Sequence, residues 1–139
     1  MRFAIPLAAA LALGPMTARA ERPADFEARF AQEARRADPS FAGFSAARGR
    51  TFFTTRQGGD WSCSTCHGDV PTAIGEHAVT GKRIEPLAPA ANPERFTKPA
   101  SVEKWFKRNC NDVVKRACTA QEKGDVLAWL MALPAKETR

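Results

Sequence analysis

Apolar residues recur at helical spacing in four stretches of this chain, with polar or proline-rich sequence between them. In Ala24 to Ala37, Phe26 and Phe30 stand four apart, charged residues fill the other faces, and Asp38-Pro39 closes the pattern, which predicts a first helix. A second is predicted from Ala46 to Thr55, where the small residues Ala47 and Gly49 precede Phe52 and Phe53, and Gln57-Gly58-Gly59-Asp60 makes the turn after it. Ser101 is placed to cap a third helix, Val102 to about Asn109, with Val102, Trp105 and Phe106 on one face. Thr119-Ala120-Gln121-Glu122 reads as a capping box opening a fourth helix, which carries Val126, Leu127, Trp129, Leu130 and Leu133 and stops at Pro134.

The expected fold class is therefore all-α. Residues 68–99 contain Pro71, Pro86, Pro89, Pro93 and Pro99 and few periodic apolar positions, so they predict a long loop that needs a surface to pack on. Ahead of all this, Arg2, an apolar run from Phe3 to Leu13 and Ala18-Arg19-Ala20 have the order of a secretory leader over residues 1–20. The run is shorter than the roughly 20 residues a spanning helix needs, and Pro6, Gly14 and Pro15 interrupt it. Residues 21–139 would then form one small domain, marginal in core unless a staple or a large buried group completes it.

Cys63-Ser64-Thr65-Cys66-His67 supplies that group. Two thiols three positions apart, followed at once by an imidazole, are the arrangement that attaches a c-type haem. Each thiol adds to one vinyl group, and His67 becomes the proximal iron ligand. A redox dithiol and a zinc site are the competing readings, the latter using Cys63, Cys66, Cys110 and Cys118 in a haem-free module. The secretory leader favours haem, because bacteria attach it to thiols outside the cytoplasm, and it puts the chain in the periplasm. There the remaining pair, Cys110 and Cys118, is expected to become a disulfide. Eight positions of continuous helix would separate them by about 12 Å, beyond the roughly 7 Å a bridge spans, so a break in the helix is expected between them.

A methionine on the iron's second axial position is the usual partner in small electron carriers, and none is in place here. Met1 and Met16 fall in the leader, and Met131 sits inside the last amphipathic helix, where filling the core suits it better. The candidates are His77, a lysine such as Lys104 or Lys107, Asn109 or Asn111 beside Cys110, or water. His77 would make a plain electron carrier, although only nine residues separate it from His67. An asparagine amide oxygen is a hard, neutral donor that suits ferric iron better than ferrous, so reduction would open the site. On the proline-rich loop, Ile84, Pro86, Leu87 and Pro89 are expected against the haem; Lys82 and Arg83 could pair with its propionates or simply meet solvent.

Beyond the haem motif, the strings Thr80-Gly81-Lys82, Pro86-Leu87-Ala88-Pro89, Arg95-Phe96-Thr97, Val102-Glu103-Lys104-Trp105 and Arg108-Asn109-Cys110-Asn111, then Cys118 and Leu127-Ala128-Trp129-Leu130, span most of the chain after the leader. In them the chain closely resembles the sphaeroides haem protein family, small class I monohaem cytochromes c. The resemblance implies about four helices around one covalent haem c held by Cys63 and Cys66, with His67 proximal and Asn109 distal in the ferric state. It also implies a Cys110–Cys118 disulfide and loss of the distal ligand on reduction, with Trp105 near the haem. Small diatomic ligands (O2, NO, CO) are the expected ferrous ligands, and a dihaem cytochrome c and a membrane b-type cytochrome the expected electron donors. Turnover of oxygen or nitric oxide stays open beside reversible binding, and no distal histidine or acid stands out as a proton donor. By analogy with small monohaem cytochromes, the Gly49 helix should cross the last helix closely.

Formal net charge is +6, with 21 basic against 15 acidic residues; loss of Arg2 and Arg19 with the leader would leave about +4. Such a bias suits docking on an acidic redox partner and, without a motif, gives no reason to expect nucleic acid. No long apolar stripe is left over once four helices pack, so a monomer is expected.

Overall fold

The computed structural model describes residues 20–135, so the expected leader lies outside the described residues but for Ala20. Five α-helices run in the order α1 (Pro23–Ala37), α2 (Ala46–Thr54), α3 (Cys63–His67), α4 (Pro99–Asn109) and α5 (Ala120–Ala132), and a π-helical turn over Cys110–Val114 continues α4. Between α3 and α4 a short antiparallel ribbon pairs β1 (Gly75–Glu76) with β2 (Arg83–Ile84), Gly75 opposite Ile84. The predicted long loop is thus partly folded on itself. It is also anchored where the Pro71 carbonyl accepts from the N–H groups of Leu87 and Ala88, at 3.0 and 3.1 Å.

Local chemistry sets the helix ends. Ser45 caps α2 by accepting from the Arg48 N–H at 3.3 Å. The predicted capping box of α5 is formed: Thr119 Oγ1 accepts from the Glu122 N–H at 3.1 Å, and Glu122 Oε2 accepts from the Thr119 N–H at 2.8 Å. Ser101 does not cap α4. The helix begins three residues earlier than expected, at Pro99 with Lys98 as N-cap, because proline's fixed φ and missing donor suit the first helical position. The expected break after α4 is the π turn, which Lys115 closes in a left-handed conformation (φ 62°).

Helix α5 is the axis of the molecule, crossed by both α1 and α2. Phe26, Phe30, Val102 and Leu127 make one core cluster between α1, α4 and α5, and Met131 packs against it, which accounts for that methionine. Phe53, Val126, Trp129 and Leu130 make a second cluster between α2 and α5, with Cys63 and Leu87 at its edge. At the crossing of α2 with α5, Gly49 lies so close to the Asp125 carbonyl that a methyl group there would overlap it, as the analogy predicted.

The same crossing is clamped by Asp125, which is 4% exposed. Its Oδ1 accepts from the Ser45 N–H at 2.7 Å and from Arg48 Nη2 at 2.9 Å, and its Oδ2 accepts from Arg48 Nε at 2.8 Å. Asp125→Ala would strand the Ser45 N–H at the start of α2. We expect a loss of about 2 kcal/mol, held down by the half-exposed guanidinium's access to water, read as a lower denaturant midpoint.

Candidate haem site

The functional wall begins with α3, a helix of five residues with no apolar periodicity. Side chains start it: the Ser62 N–H donates to Thr65 Oγ1 at 3.0 Å, and Ser62 and Ser64 share a hydroxyl hydrogen bond of 2.9 Å. Gly68, at φ 75°, ends it, its N–H reaching the Ser64 carbonyl at 2.8 Å. One helical turn is enough to bring positions i, i+3 and i+4 onto one face, and these are Cys63, Cys66 and His67.

That face borders a cavity of about 680 Å³. Phe52, Phe53 and Val126 line it from α2 and α5, Ile84 and Leu87 from the ribbon and the segment after it, and Trp105, Phe106 and Asn109 from α4. Pro86 and Pro89, also expected on the haem face, are not among the lining residues. The Pro86 carbonyl is held by Asn92 Nδ2 and Arg95 Nε, at 3.2 and 2.9 Å. Lys82 and Arg83 do border the cavity; Lys82 has no ion pair within the described residues, and Arg83 Nε holds Glu85 Oε1 at 2.8 Å. Trp105 is 43% exposed at the rim, with Lys104 and Arg108 over its ring at 5.4 and 5.6 Å.

His67 packs against Phe53 with its ring tilted at 47°, ring centroids 6.0 Å apart. Burial pushes its imidazole down to about 4, and the Arg95 charge adds to the effect, so the ring keeps the neutral lone pair a metal requires. Burial also pushes the Cys63 thiol up to about 11. A redox dithiol depends on a lowered thiol pKa, so this environment is the reverse of the one that reading needs.

Of the candidates for the iron's second axial position, His77 and Asn109 line the cavity, whereas Lys104, Lys107 and Asn111 are exposed and do not. His77 sits in the turn of the ribbon, where its Nδ1 accepts from the N–H groups of Val79 and Thr80, each at 3.3 Å. The ribbon in turn packs on α3, Gly75 against the Cys66 carbonyl, so His77 belongs to the wall that carries the haem motif. Asn109 is on the α4 wall. It is half-buried, it is the last residue before the π turn, and its amide makes no hydrogen bond within the described residues.

Cys110 and Cys118 are disulfide-bonded, with Cα atoms 5.6 Å apart. This removes two of the four thiols a Cys63, Cys66, Cys110 and Cys118 zinc site would need, and among the described residues no group of three or more His, Cys, Asp or Glu is placed to hold a metal. Arg95, which had no predicted role beyond its place in the Arg95-Phe96-Thr97 string, is half-buried on the cavity wall. Two reduced thiols and a neutral imidazole on one helical face, opening on an apolar space within the roughly 300–1,000 Å³ typical of cofactor sites, fit a covalent haem.

Comparison with known proteins agrees with that fit. Residues 39–130 match the family described as Domain of unknown function (DUF1924), to which the chain belongs. Cytochrome c-type protein SHP from Cereibacter sphaeroides is 54% identical over 91 residues, covering 63% of this chain and 70% of that protein. The structure of oxidised SHP, described as an oxygen-binding cytochrome c, superposes with a TM-score of 0.70 at 47% identity over 79% of this chain and 96% of its own. Cytochrome c'' from Methylophilus methylotrophus, studied in solution for haem-ligand detachment, gives a TM-score of 0.71 at 33% identity over 84% of this chain and 97% of its own. With the haem motif, the helical class I architecture and the cavity in agreement, the chain belongs to the sphaeroides haem protein family, the monohaem cytochromes c that carry one covalently attached haem c.

Proposed function

We propose that this chain is a periplasmic electron-transfer cytochrome with a redox-gated distal site, closed by Asn109 in the ferric state and open to O2 or NO in the ferrous state. The observation that carries the reading is the Asn109 amide, which lines the same cavity as the haem motif from α4 and has no hydrogen-bond partner of its own within the described residues. Haem supplies a one-electron centre and an iron that accepts a small diatomic ligand. Cys63 and Cys66 tether it as thioethers, and His67 holds the proximal position. Asn109 offers an amide oxygen, a hard donor that holds ferric iron and is released by the softer ferrous ion. The Cys110–Cys118 bridge closes the segment that follows Asn109 and limits how far the amide can retreat. Lys82, Arg83 and Trp105 contact the haem rim.

Support comes from two relatives, one described as oxygen-binding and the other in terms of haem-ligand detachment. The proposed electron donors are a dihaem cytochrome c and a membrane b-type cytochrome. Among the described residues no helix is long and apolar enough to cross a membrane, so such a donor would be met at its surface.

Absorption spectra of the haem protein, oxidised, reduced with dithionite and reduced under carbon monoxide, test the gate. We expect the wild type to be high-spin when reduced and to take up carbon monoxide at once, with Asn109→Ala altering only the oxidised spectrum. A reduced wild type that is low-spin and ignores carbon monoxide overturns the proposal. His77→Ala should leave all three spectra unchanged, because with Nδ1 accepting from the turn the ring proton sits on Nε2, and neither nitrogen keeps a free lone pair for iron.

A further inference from the structure

Arg95 is a cation on the cavity wall with no acid of its own. Its Nε donates to the Pro86 carbonyl at 2.9 Å and its Nη2 to the Glu85 carbonyl at 2.7 Å, both backbone groups. The carboxylate of Glu85 is 57% exposed and is taken by Arg83. Burial disfavours the Arg95 charge, and Glu85 offsets this only in part. The guanidinium fork keeps both Nη1 hydrogens and one on Nη2 for a further acceptor. A half-buried cation without a counter-charge is costly unless a bound group completes it. Lys82 and Arg83 lack this character: the one is exposed and the other is bound to Glu85.

We infer that Arg95 is the principal propionate-binding residue of this protein, a fixed fork that pairs with one haem carboxylate and ties it to the Glu85-Pro86 backbone. Planar, bidentate recognition of carboxylate is the geometry guanidinium favours over ammonium. The backbone anchors hold the fork in place before the cofactor arrives, which lowers the entropy lost on pairing. A cation held near the iron disfavours the more positive ferric state, so Arg95 raises the reduction potential. This inference rests on the haem site and is independent of the Asn109 gate.

The test compares wild type, Arg95→Gln, Arg95→Lys and Arg36→Gln as haem-loaded proteins, by redox titration and by the propionate-bending band in resonance Raman spectra. Arg95→Gln should lower the midpoint potential and shift the band, Arg95→Lys should restore part of the potential while the band stays shifted, and Arg36→Gln, exposed on α1 and outside the cavity lining, should move neither. An Arg95→Gln protein with parental potential and band overturns the inference. If the glutamine variant fails to accumulate, an unshifted band in Arg95→Lys overturns it equally. Reduced Arg95→Gln should still take up carbon monoxide, so failure here is distinguishable from failure of the gate.

Discussion

A chain carrying Cys63→Ala and Cys66→Ala is expected to be colourless and to lack a cooperative thermal transition. The two core clusters are small, and they flank a cavity of about 680 Å³ that haem fills in the mature protein. Residual cavity costs about 24 cal/mol per Å³, so leaving even a quarter of that space empty would cost about 4 kcal/mol. Flooding it with water instead would expose the apolar side chains of Phe53, Leu87 and Val126. Either outcome removes much of the roughly 5–15 kcal/mol that holds a small domain together. Far-ultraviolet circular dichroism with temperature, alongside a pyridine haemochrome assay, measures both effects. A sharp transition in the haem-free variant would mean that the two clusters suffice, and would remove the cofactor from the account of folding.

The second large effect is expected at Gly49. A methyl group there overlaps the Asp125 carbonyl and lies 2.8 Å from the Val126 nitrogen, so backbone would have to move on one side of the crossing. Alanine's better helix propensity returns up to about 1 kcal/mol, and overpacking of this kind costs about 3 kcal/mol or more, so Gly49→Ala should be about 2 kcal/mol or more less stable. Gly124 is a useful contrast. The atoms nearest a methyl there belong to the ring of Phe44, a side chain packed at the edge of the first core cluster and able to shift more cheaply than backbone, so Gly124→Ala should be milder. Denaturation midpoints of the two haem-loaded variants give the comparison. Because Phe53 follows Gly49 on α2 and packs on both Trp129 and His67, at 5.0 and 6.0 Å, the Gly49 variant should also show a disturbed haem spectrum.

What sequence revealed and what it hid follow from the range of the interactions. Helices α1, α2 and α5 were legible because each buries one periodic apolar face, and α5 also carries its own capping chemistry in adjacent residues. The start of α4 was misplaced at Ser101 because a plausible hydroxyl cap outweighed the preference of Pro99 for a first helical turn. Helix α3 and the ribbon escaped notice because five residues and two paired residues are too short for any periodicity to show. The haem motif was readable because covalent chemistry demands particular residues at a fixed spacing. Arg95 was not, since its burial and its lack of an acid are created by loop packing across the Glu85-Pro86 segment. The commitment of His77 Nδ1 was equally hidden: it depends on a turn that only the ribbon defines.

All four cysteines of the protein line one cavity, Cys63 and Cys66 on α3, Cys110 at the π turn and Cys118 just before α5. In the proposed periplasmic location a newly made chain therefore faces a sorting problem, because a bridge between the two pairs would block haem attachment. Chain length helps to resolve it. The stretch from Cys66 to Cys110 is more than five times the eight-position separation of Cys110 and Cys118, and on loop-closure entropy the local bridge is favoured by about 1.5 kcal/mol, roughly tenfold. Maturation then has a natural order, the local bridge first and the thioethers second.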